Sequence, residues 1–360
     1  MPKITIWGTG RVGLSAVDTL FKTQASEGAE IVLYSPHNYK KIEGDILDLE
    51  DAVAVSGRSF HWNAIATNKP EDMAGSDLVF YCAGGTPTAK EYAEGAEKGM
   101  DDRMVQGQKN ISMIVNFYSC LKKYAPEAKI FVVSNPVDMM TELMRGAFAK
   151  NEVYGLGCYL DTGRYKREFV EALRKNGVDI PISDFYGMIA GSHDGNMFPL
   201  EESIFFPGMK KVSKKIMKTV KETALKNTKG RGLYITNVRK AAPKRENCNN
   251  GSHFAPGEMI ADIIRAYVIG GPLRLTLNRP ITEEDNVGFV GEAAQLPAVI
   301  TKGDIKSLFY PYTETDKENL RISIERKNEA SGNFFKEVQH TDKNGVIRRI
   351  TRNGEKIQRN

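Results

Sequence analysis

Ile4-Thr5-Ile6-Trp7, followed at once by Gly8-Thr9-Gly10-Arg11-Val12-Gly13, is the stretch that decides the fold. The β-branched run reads as a buried strand, and Val12 to Lys22 carries apolar residues at helical spacing. A G-x-G-x-x-G alone says little, because glycines gather in many tight turns. Placed between a strand and a helix, these glycines permit a sharp turn, close approach of backbone to a pyrophosphate, and tight helix–strand packing. The helix start adds N–H donors and partial positive charge. Gly8, Gly10, Arg11, Val12 and Gly13 are therefore read as cofactor-binding residues.

Outward from this cradle, Glu30 to Tyr34, Leu78 to Ala83 and Ile130 to Val133 repeat the short apolar pattern, with helical stretches such as Ile111 to Tyr124 between them. Alternation of this kind implies an α/β fold, a doubly wound parallel sheet, over residues 1–145. Residues 146–330 mix charged amphipathic helices (Asp161 to Lys175, Val212 to Lys226) with strand-like pieces from Leu273 to Leu308, which suggests an α+β substrate domain. Thr313 to Ala330 reads as a capped helix. Beyond it, Asn344-Gly345 and Asn353-Gly354 each sit between strand-like segments, so residues 331–360 are expected to form a basic β-hairpin extension.

Composition narrows the functional classes. The apolar share of 41% and charged share of 26% are those of ordinary globular chains. No apolar run reaches the roughly 18 residues of a membrane span, and the N-terminus lacks the features of a secretory signal, so a cytoplasmic protein is expected. Cys82, Cys120, Cys158 and Cys248 show no metal or disulfide spacing and read as reduced thiols; no metal site is expected. The formal charge is +5, yet residues 331–360 hold seven Lys/Arg against three Asp/Glu. The rest of the chain is nearly neutral, which argues against a nucleic-acid partner.

The end of the second strand bears on cofactor choice. An acidic residue normally stands there to take the ribose hydroxyls of NAD. This chain has Tyr34-Ser35-Pro36-His37, and Ser35 can donate to a 2′-phosphate, with His37, Lys40 or Lys41 adding charge. The reading favours NADP and leaves NAD open.

Three further motifs follow in order. Ser134-Asn135-Pro136-Val137-Asp138 ends a buried strand at the carboxyl edge of the sheet, where such folds bind ligands. Gly155-Leu156-Gly157-Cys158-Tyr159-Leu160-Asp161-Thr162-Gly163-Arg164 sets Asp161 and Arg164 three apart on one helix face. Gly191-Ser192-His193-Asp194-Gly195-Asn196 exposes a histidine in a glycine-rich turn. An imidazole can take and return a hydroxyl proton near neutral pH, a carboxylate can orient it, and a guanidinium plane matches a substrate carboxylate.

Taken together, from about residue 3 to about residue 328, these motifs resemble the lactate/malate dehydrogenase family, of which the chain is an atypical member. The resemblance implies a Rossmann domain followed by that family's substrate domain, and hydride transfer between NAD(P)H and a 2-keto or 2-hydroxy acid. It makes His193 the proton acceptor and Asp161 its partner. Arg164 grips the substrate carboxylate, Arg103 polarises the carbonyl from a mobile loop, Asn135 contacts substrate and cofactor, and Ser252 lines the pocket. Asn110 matches a cofactor-contacting asparagine, and Ala83, Gly84 and Val133 complete the cofactor set. A homo-oligomer, dimer or tetramer, is implied as well.

The sequence departs from the family pattern in three places. Residues 86–99, TPTAKEYAEGAEKG, lack the usual arginine, and Lys90 or Lys98 is a candidate replacement. Asp194-Gly195-Asn196 stands where relatives have Gly-Asp-Ser, and Lys240 to Asn250 looks like an insertion. Two alternatives stay open: an NAD- and metal-dependent glycosidase sharing the nucleotide domain, and a non-catalytic cofactor-sensing or nucleic-acid-binding module.

Overall fold

Residues β1 (Lys3–Trp7), α1 (Arg11–Thr23), β2 (Glu30–Tyr34), α2 (Tyr39–Val55), β3 (Ala64–Thr67) and β4 (Leu78–Tyr81) open the chain. Then come α3 (Ala89–Glu97), α4 (Asp102–Tyr124), β5 (Lys129–Val132), α5 (Val137–Ala147), β6 (Val153–Gly155) and α6 (Cys158–Lys175). The computed structural model describes residues 1–57, 63–85, 87–100, 102–148, 152–240 and 251–341. The first six strands pair in parallel in the order β3-β2-β1-β4-β5-β6. This is the doubly wound sheet expected from the strand–helix alternation.

Side chains alternate between the two faces of each central strand, and both faces are covered. Ile4, Ile6, Ile31, Leu33, Leu78, Phe80 and Phe131 join one core with residues of α1 and α2. Trp7, Tyr34, Val79, Tyr81, Ile130 and Val132 join the other, with residues of α4 and α5. All of these strand residues are at most 4% exposed. That double burial is why the strands read as unbroken apolar runs.

The remaining elements are β7 (Ile189–Ala190), β8 (Phe198–Pro199), α7 (Lys214–Lys240), α8 (Phe254–Val268), β9 (Leu273–Pro280), β10 (Ala293–Thr301), β11 (Asp304–Ser307) and α9 (Glu314–Thr341). The second half is less separate than its texture suggests. β9, β10 and β11 add an antiparallel edge to the same sheet, joined where Gly155 of β6 faces Asn278 of β9. A further core, built from Tyr165, Phe169, Phe185 and Phe206, lies under α6 and α7. No helix among the described residues is long and apolar enough to cross a membrane.

One expectation is corrected. Residues 331–341 are not part of a β extension but the end of α9. Thr313 caps that helix, its hydroxyl taking the Asp316 N–H at 3.1 Å. Leu320, Ile324, Lys327, Ser331 and Phe334 are buried along one stripe, so the helical period runs straight through Ser331-Gly332-Asn333, three weak helix formers. Phe334 is fully buried beside α4, where a Cβ at Gly107 would come 2.5 Å from its ring. Tertiary packing overrides the local stop signal. The Asn-Gly turns at 344–345 and 353–354 lie outside the described residues, as do most of the 240–250 segment and Cys248.

Candidate active site

The turn after β1 shows why two of its glycines are required. A Cβ on Gly8, whose φ is +101°, would come 2.5 Å from Ala83 N, and one on Gly13 would come 2.5 Å from Gly8 O. At Gly10 a Cβ would meet nothing within 4 Å, so the backbone there faces open space. Gly10 is the N-cap of α1, no side chain caps the helix, and no acidic residue occupies its first turn. The Thr9 hydroxyl is buried without a hydrogen-bond partner among the described residues. Free helix N–H donors, an open approach and an unpaired hydroxyl fit the pyrophosphate of a dinucleotide. Arg11 is exposed at the helix start, and Val12 packs against the core from its partly buried position.

The carboxyl ends of β2, β4 and β5 converge beside this cradle. Ser35 is buried, and its hydroxyl oxygen accepts from Asn38 N at 3.2 Å. Lys40 pairs with Glu43 at 2.7 Å, while His37 and Lys41 are exposed. Ser134 Oγ donates to Ala83 O at 2.5 Å. Asn110, only 1% exposed, donates to Asn135 O at 2.7 Å and accepts from Gly85 N at 2.8 Å. Its amide thus clamps the segment of Ala83 and Gly84 to that of Val133 and Asn135. Asn110 is read from sequence as a cofactor contact; its observed partners are these two backbone turns. The Asn135 residue itself is exposed.

The polar groups of the candidate site are assembled around α6. Asp161 lies in its first turn with no exposed surface, and Oδ2 is 2.5 Å from His193 Nδ1. The other oxygen accepts from Arg164 Nη1 at 3.1 Å, and Arg164 Nη2 donates to Ser252 Oγ at 3.3 Å. A fully buried carboxylate is costly unless paired, and here both oxygens meet nitrogen donors. With Nδ1–H donated to Asp161, Nε2 is left as an acceptor on the neutral ring. Two of the guanidinium's five N–H donors are engaged, and the others face no partner among the described residues. Across the site, Arg103 in the first turn of α4 donates from Nη1 to His193 O at 2.6 Å. Asp161, Arg164, His193, Ser252 and Arg103 are therefore brought together.

The loop segment takes a definite form. Thr88 and Glu91 form a capping box at the start of α3, and Glu91 accepts from Lys109 of α4 at 2.9 and 3.1 Å. Those bonds, first from Lys109 and then from Thr88, hold the Glu91 carboxyl down at about 2. Lys90 pairs with Glu94 on its own helix, and Lys98 closes α3 as its C-cap. Neither is bonded to Arg164, His193 or Asp161.

Three features of the site escape a reading by motif alone. Gly157 has His193 against it: a Cβ would lie 2.5 Å from His193 Cβ and 2.8 Å from Gln295 Nε2. Asp138, at the end of the quoted Ser134–Asp138 motif, accepts from His193 N at 2.7 Å. Asn278 of β9 and Gln295 of β10 both donate to its other oxygen, at 2.6 and 2.8 Å. Gly157 and Asp138 lay inside recognised motifs; Asn278 and Gln295 carried no local signal. The variant turn is also explained, since Asp194 Oδ1 accepts from Ser192 Oγ, Asn196 N and Asn196 Nδ2 at 2.5, 2.9 and 3.0 Å. An aspartate-centred turn replaces the family's Gly-Asp-Ser.

Burial, then the nearby Asp161, Asp138 and Asp194, push the Cys158 thiol well above its ordinary range, so it stays protonated. Among the described residues no group of three or more His, Cys, Asp or Glu could hold a metal ion. The metal-dependent glycosidase reading thus finds no ligand set there.

The comparisons agree with this geometry. Residues 2–155 match the model of the lactate/malate dehydrogenase NAD binding domain. Malate dehydrogenase of Staphylococcus carnosus is 26% identical over 328 residues, covering 90% of this chain and 95% of that protein. The enzyme of Staphylococcus saprophyticus subsp. saprophyticus is 28% identical over 329 residues with the same coverage. Among solved structures, malate dehydrogenase of Plasmodium falciparum has a TM-score of 0.74 at 20% identity, covering 94% of this chain and all of that one. Lactate dehydrogenase of Cryptosporidium parvum, complexed with lactic acid and nicotinamide adenine dinucleotide, has a TM-score of 0.73 at 20% identity, covering 92% and 98%. Sequence, sheet order and these likenesses converge: the first 155 residues match the lactate/malate dehydrogenase NAD binding domain, and the chain is similar over nine-tenths of its length to malate dehydrogenases.

Proposed function

We propose that the protein is a nicotinamide-dependent 2-hydroxy-acid dehydrogenase in which His193 moves the proton and Arg164 holds the substrate carboxylate. The observation that carries this is the buried Asp161 carboxylate, which meets both His193 and Arg164. The bound nicotinamide supplies or accepts the hydride. Neutral His193, fixed by Asp161 at Nδ1, takes the substrate hydroxyl proton at Nε2 and returns it in the reverse direction. Asp161 stabilises the imidazolium so formed. Arg164 orients the 2-acid through its remaining donors, Arg103 places positive charge beside the carbonyl oxygen, and Ser252 lines the opposite wall.

When bound, the cofactor would be held by Gly8, Gly10, Arg11, Val12 and Gly13, with Ser35 toward the ribose and Ala83, Gly84, Val133 and Asn135 along the strand ends. Asn110 acts there by holding two of those ends together. NAD(H) is the coarser assignment. NADP is the finer one, supported by the absence of a carboxylate at Ser35, whose hydroxyl proton remains available to a phosphate oxygen. We divide the chain at about residue 145 into a dinucleotide-binding part and a substrate part ending near 330. We further propose a cytoplasmic homo-oligomer without a nucleic-acid partner, since Leu47 and Val55 of α2 are 58% and 89% exposed and a second copy would cover them. Purified protein tested with NADH and NADPH against a panel of 2-keto acids should oxidise one cofactor with at least one acid. Tight cofactor binding without any oxidation would remove the dehydrogenase reading.

A further inference from the structure

The catalytic histidine is held at three points, one of them its carbonyl oxygen, which accepts from Arg103 Nη1 at 2.6 Å. Asp161 fixes its ring, and Asp138 accepts its backbone N–H at 2.7 Å. We infer that Asp138 is a positioning residue for His193, setting where the turn carries the imidazole while Asp161 sets how the ring is rotated. The inference rests on the dehydrogenase reading of this site.

Asp138 is 7% exposed, and its two oxygens serve different parts of the site. Oδ2 takes His193 N; Oδ1 takes Asn278 Nδ2 and Gln295 Nε2. Gln295 in turn accepts from Cys158 N at 3.3 Å, at the start of the helix that bears Asp161 and Arg164. Arg145 Nη2 donates to Asn278 Oδ1 at 3.1 Å and to Asn278 O at 3.2 Å, so the donor from β9 is itself held in place. Burial pushes the Arg145 guanidinium down to about 10, with Glu142 and Asp138 opposing that. One carboxylate therefore ties the Asn135 turn, the His193 turn and the α6 start to a single point. Gly191 has a φ of +98° and Gly195 one of +106°, and the turn between them is tied internally by the Asp194 carboxylate. A loop of that kind needs an external anchor, and the His193 N–H to Asp138 bond is one.

The asymmetry of the two oxygens makes the inference sharp. In Asp138→Asn the side-chain oxygen serves the two amide donors best, which turns the new NH2 group toward His193 N–H, donor against donor. The ring partner Asp161 and the carboxylate clamp Arg164 are left in place. The expected result is a folded protein whose kcat falls about 10- to 100-fold, with keto-acid KM and cofactor Kd within about twofold of the parent. Amide hydrogen exchange across residues 191–196 should quicken in the free protein. Leu121→Ala, which opens the core at the far end of α4, 18 residues beyond Arg103, serves as the comparison for lost stability alone; its kcat per folded molecule should stay at the parent value. If Asp138→Asn fails to fold, Gln295→Leu removes one donor from Oδ1 and should lower kcat several-fold with the same split.

Unchanged kcat in folded Asp138→Asn overturns the inference, as does a fall in kcat matched by an equal loss of cofactor binding. A parent protein that turns over no 2-keto acid defeats the functional reading. The exchange measurement then still decides whether Asp138 anchors the turn, because it needs no activity.

Discussion

Asp161 Oδ2 lies 2.5 Å from His193 Nδ1, and Asp161 has no exposed surface. A buried carboxylate in that position selects the tautomer that leaves Nε2 as the acceptor, and it stabilises the ring once protonated. His193→Ala should keep cofactor binding within about twofold while lowering kcat roughly 10²- to 10⁴-fold, the range for a positioned acid–base group. Asp161→Asn should fall in the same range, because an amide can present its NH2 to Nδ1 and reverse the tautomer. Steady-state kinetics beside a fluorescence titration of the cofactor checks both.

Arg164 spans from Asp161 to Ser252 and is only 15% exposed in its side chain. A lysine cannot reproduce its planar fork. Arg164→Lys should lower kcat/KM roughly 10- to 100-fold, mostly through KM, since charge-assisted bonds contribute about 1.5–3 kcal/mol each. An unchanged KM in the substituted enzyme places the substrate carboxylate elsewhere.

Ser35 stands where a carboxylate selects against a 2′-phosphate. Ser35→Asp should weaken NADPH binding about tenfold or more while NADH binding holds or improves, because a carboxylate repels phosphate and accepts from ribose hydroxyls. Equal loss of both cofactors assigns Ser35 to structure alone.

Much of the fold and site lies in short local patterns. The parallel strands were legible because both faces are buried, which leaves unbroken apolar runs such as Leu78–Tyr81. The cradle, Asp161, Arg164 and His193 were legible because each sits in a motif whose spacing reflects a turn or a helix face. What stayed hidden depends on distant pairing. β6 is three residues long, and nothing around Gly155 signals that Asn278 lies opposite. The anchors Asn278 and Gln295 are 140 and 157 residues from Asp138. The end of α9 was misread because Ser331-Gly332-Asn333 is a weak helical sequence that holds its form through the burial of Phe334.

Arg279 and Asp285 form a buried pair, with both terminal guanidinium nitrogens, Nη1 and Nη2, bonded to the carboxylate. Burial pushes the Asp285 carboxyl up, but the bond from Arg279 and those from Thr282 outweigh it and hold it below its ordinary value of 3.8. A depressed carboxyl contributes stability that is complete above the unfolded value and is lost as pH falls through the folded one. Arg279→Met leaves the carboxylate buried alone and should cost roughly 3–5 kcal/mol at pH 7. The gap from the parent should narrow on acidification, beginning above the ordinary carboxyl value of 3.8, because burial without Arg279 makes the variant's Asp285 protonate first. Urea unfolding at pH 7 and at pH 3.5 reads the difference, and a gap that widens at low pH contradicts this account of the pair.

The most direct test follows the transferred atom itself. The enzyme is given reduced cofactor deuterated at nicotinamide C4, on the transferred face, together with each 2-keto acid, and the product is examined by proton and deuterium magnetic resonance. The account expects a 2-hydroxy acid with one deuterium at C2, formed by the parent enzyme and essentially absent with His193→Ala. A product without deuterium at C2, or equal product from His193→Ala, contradicts it.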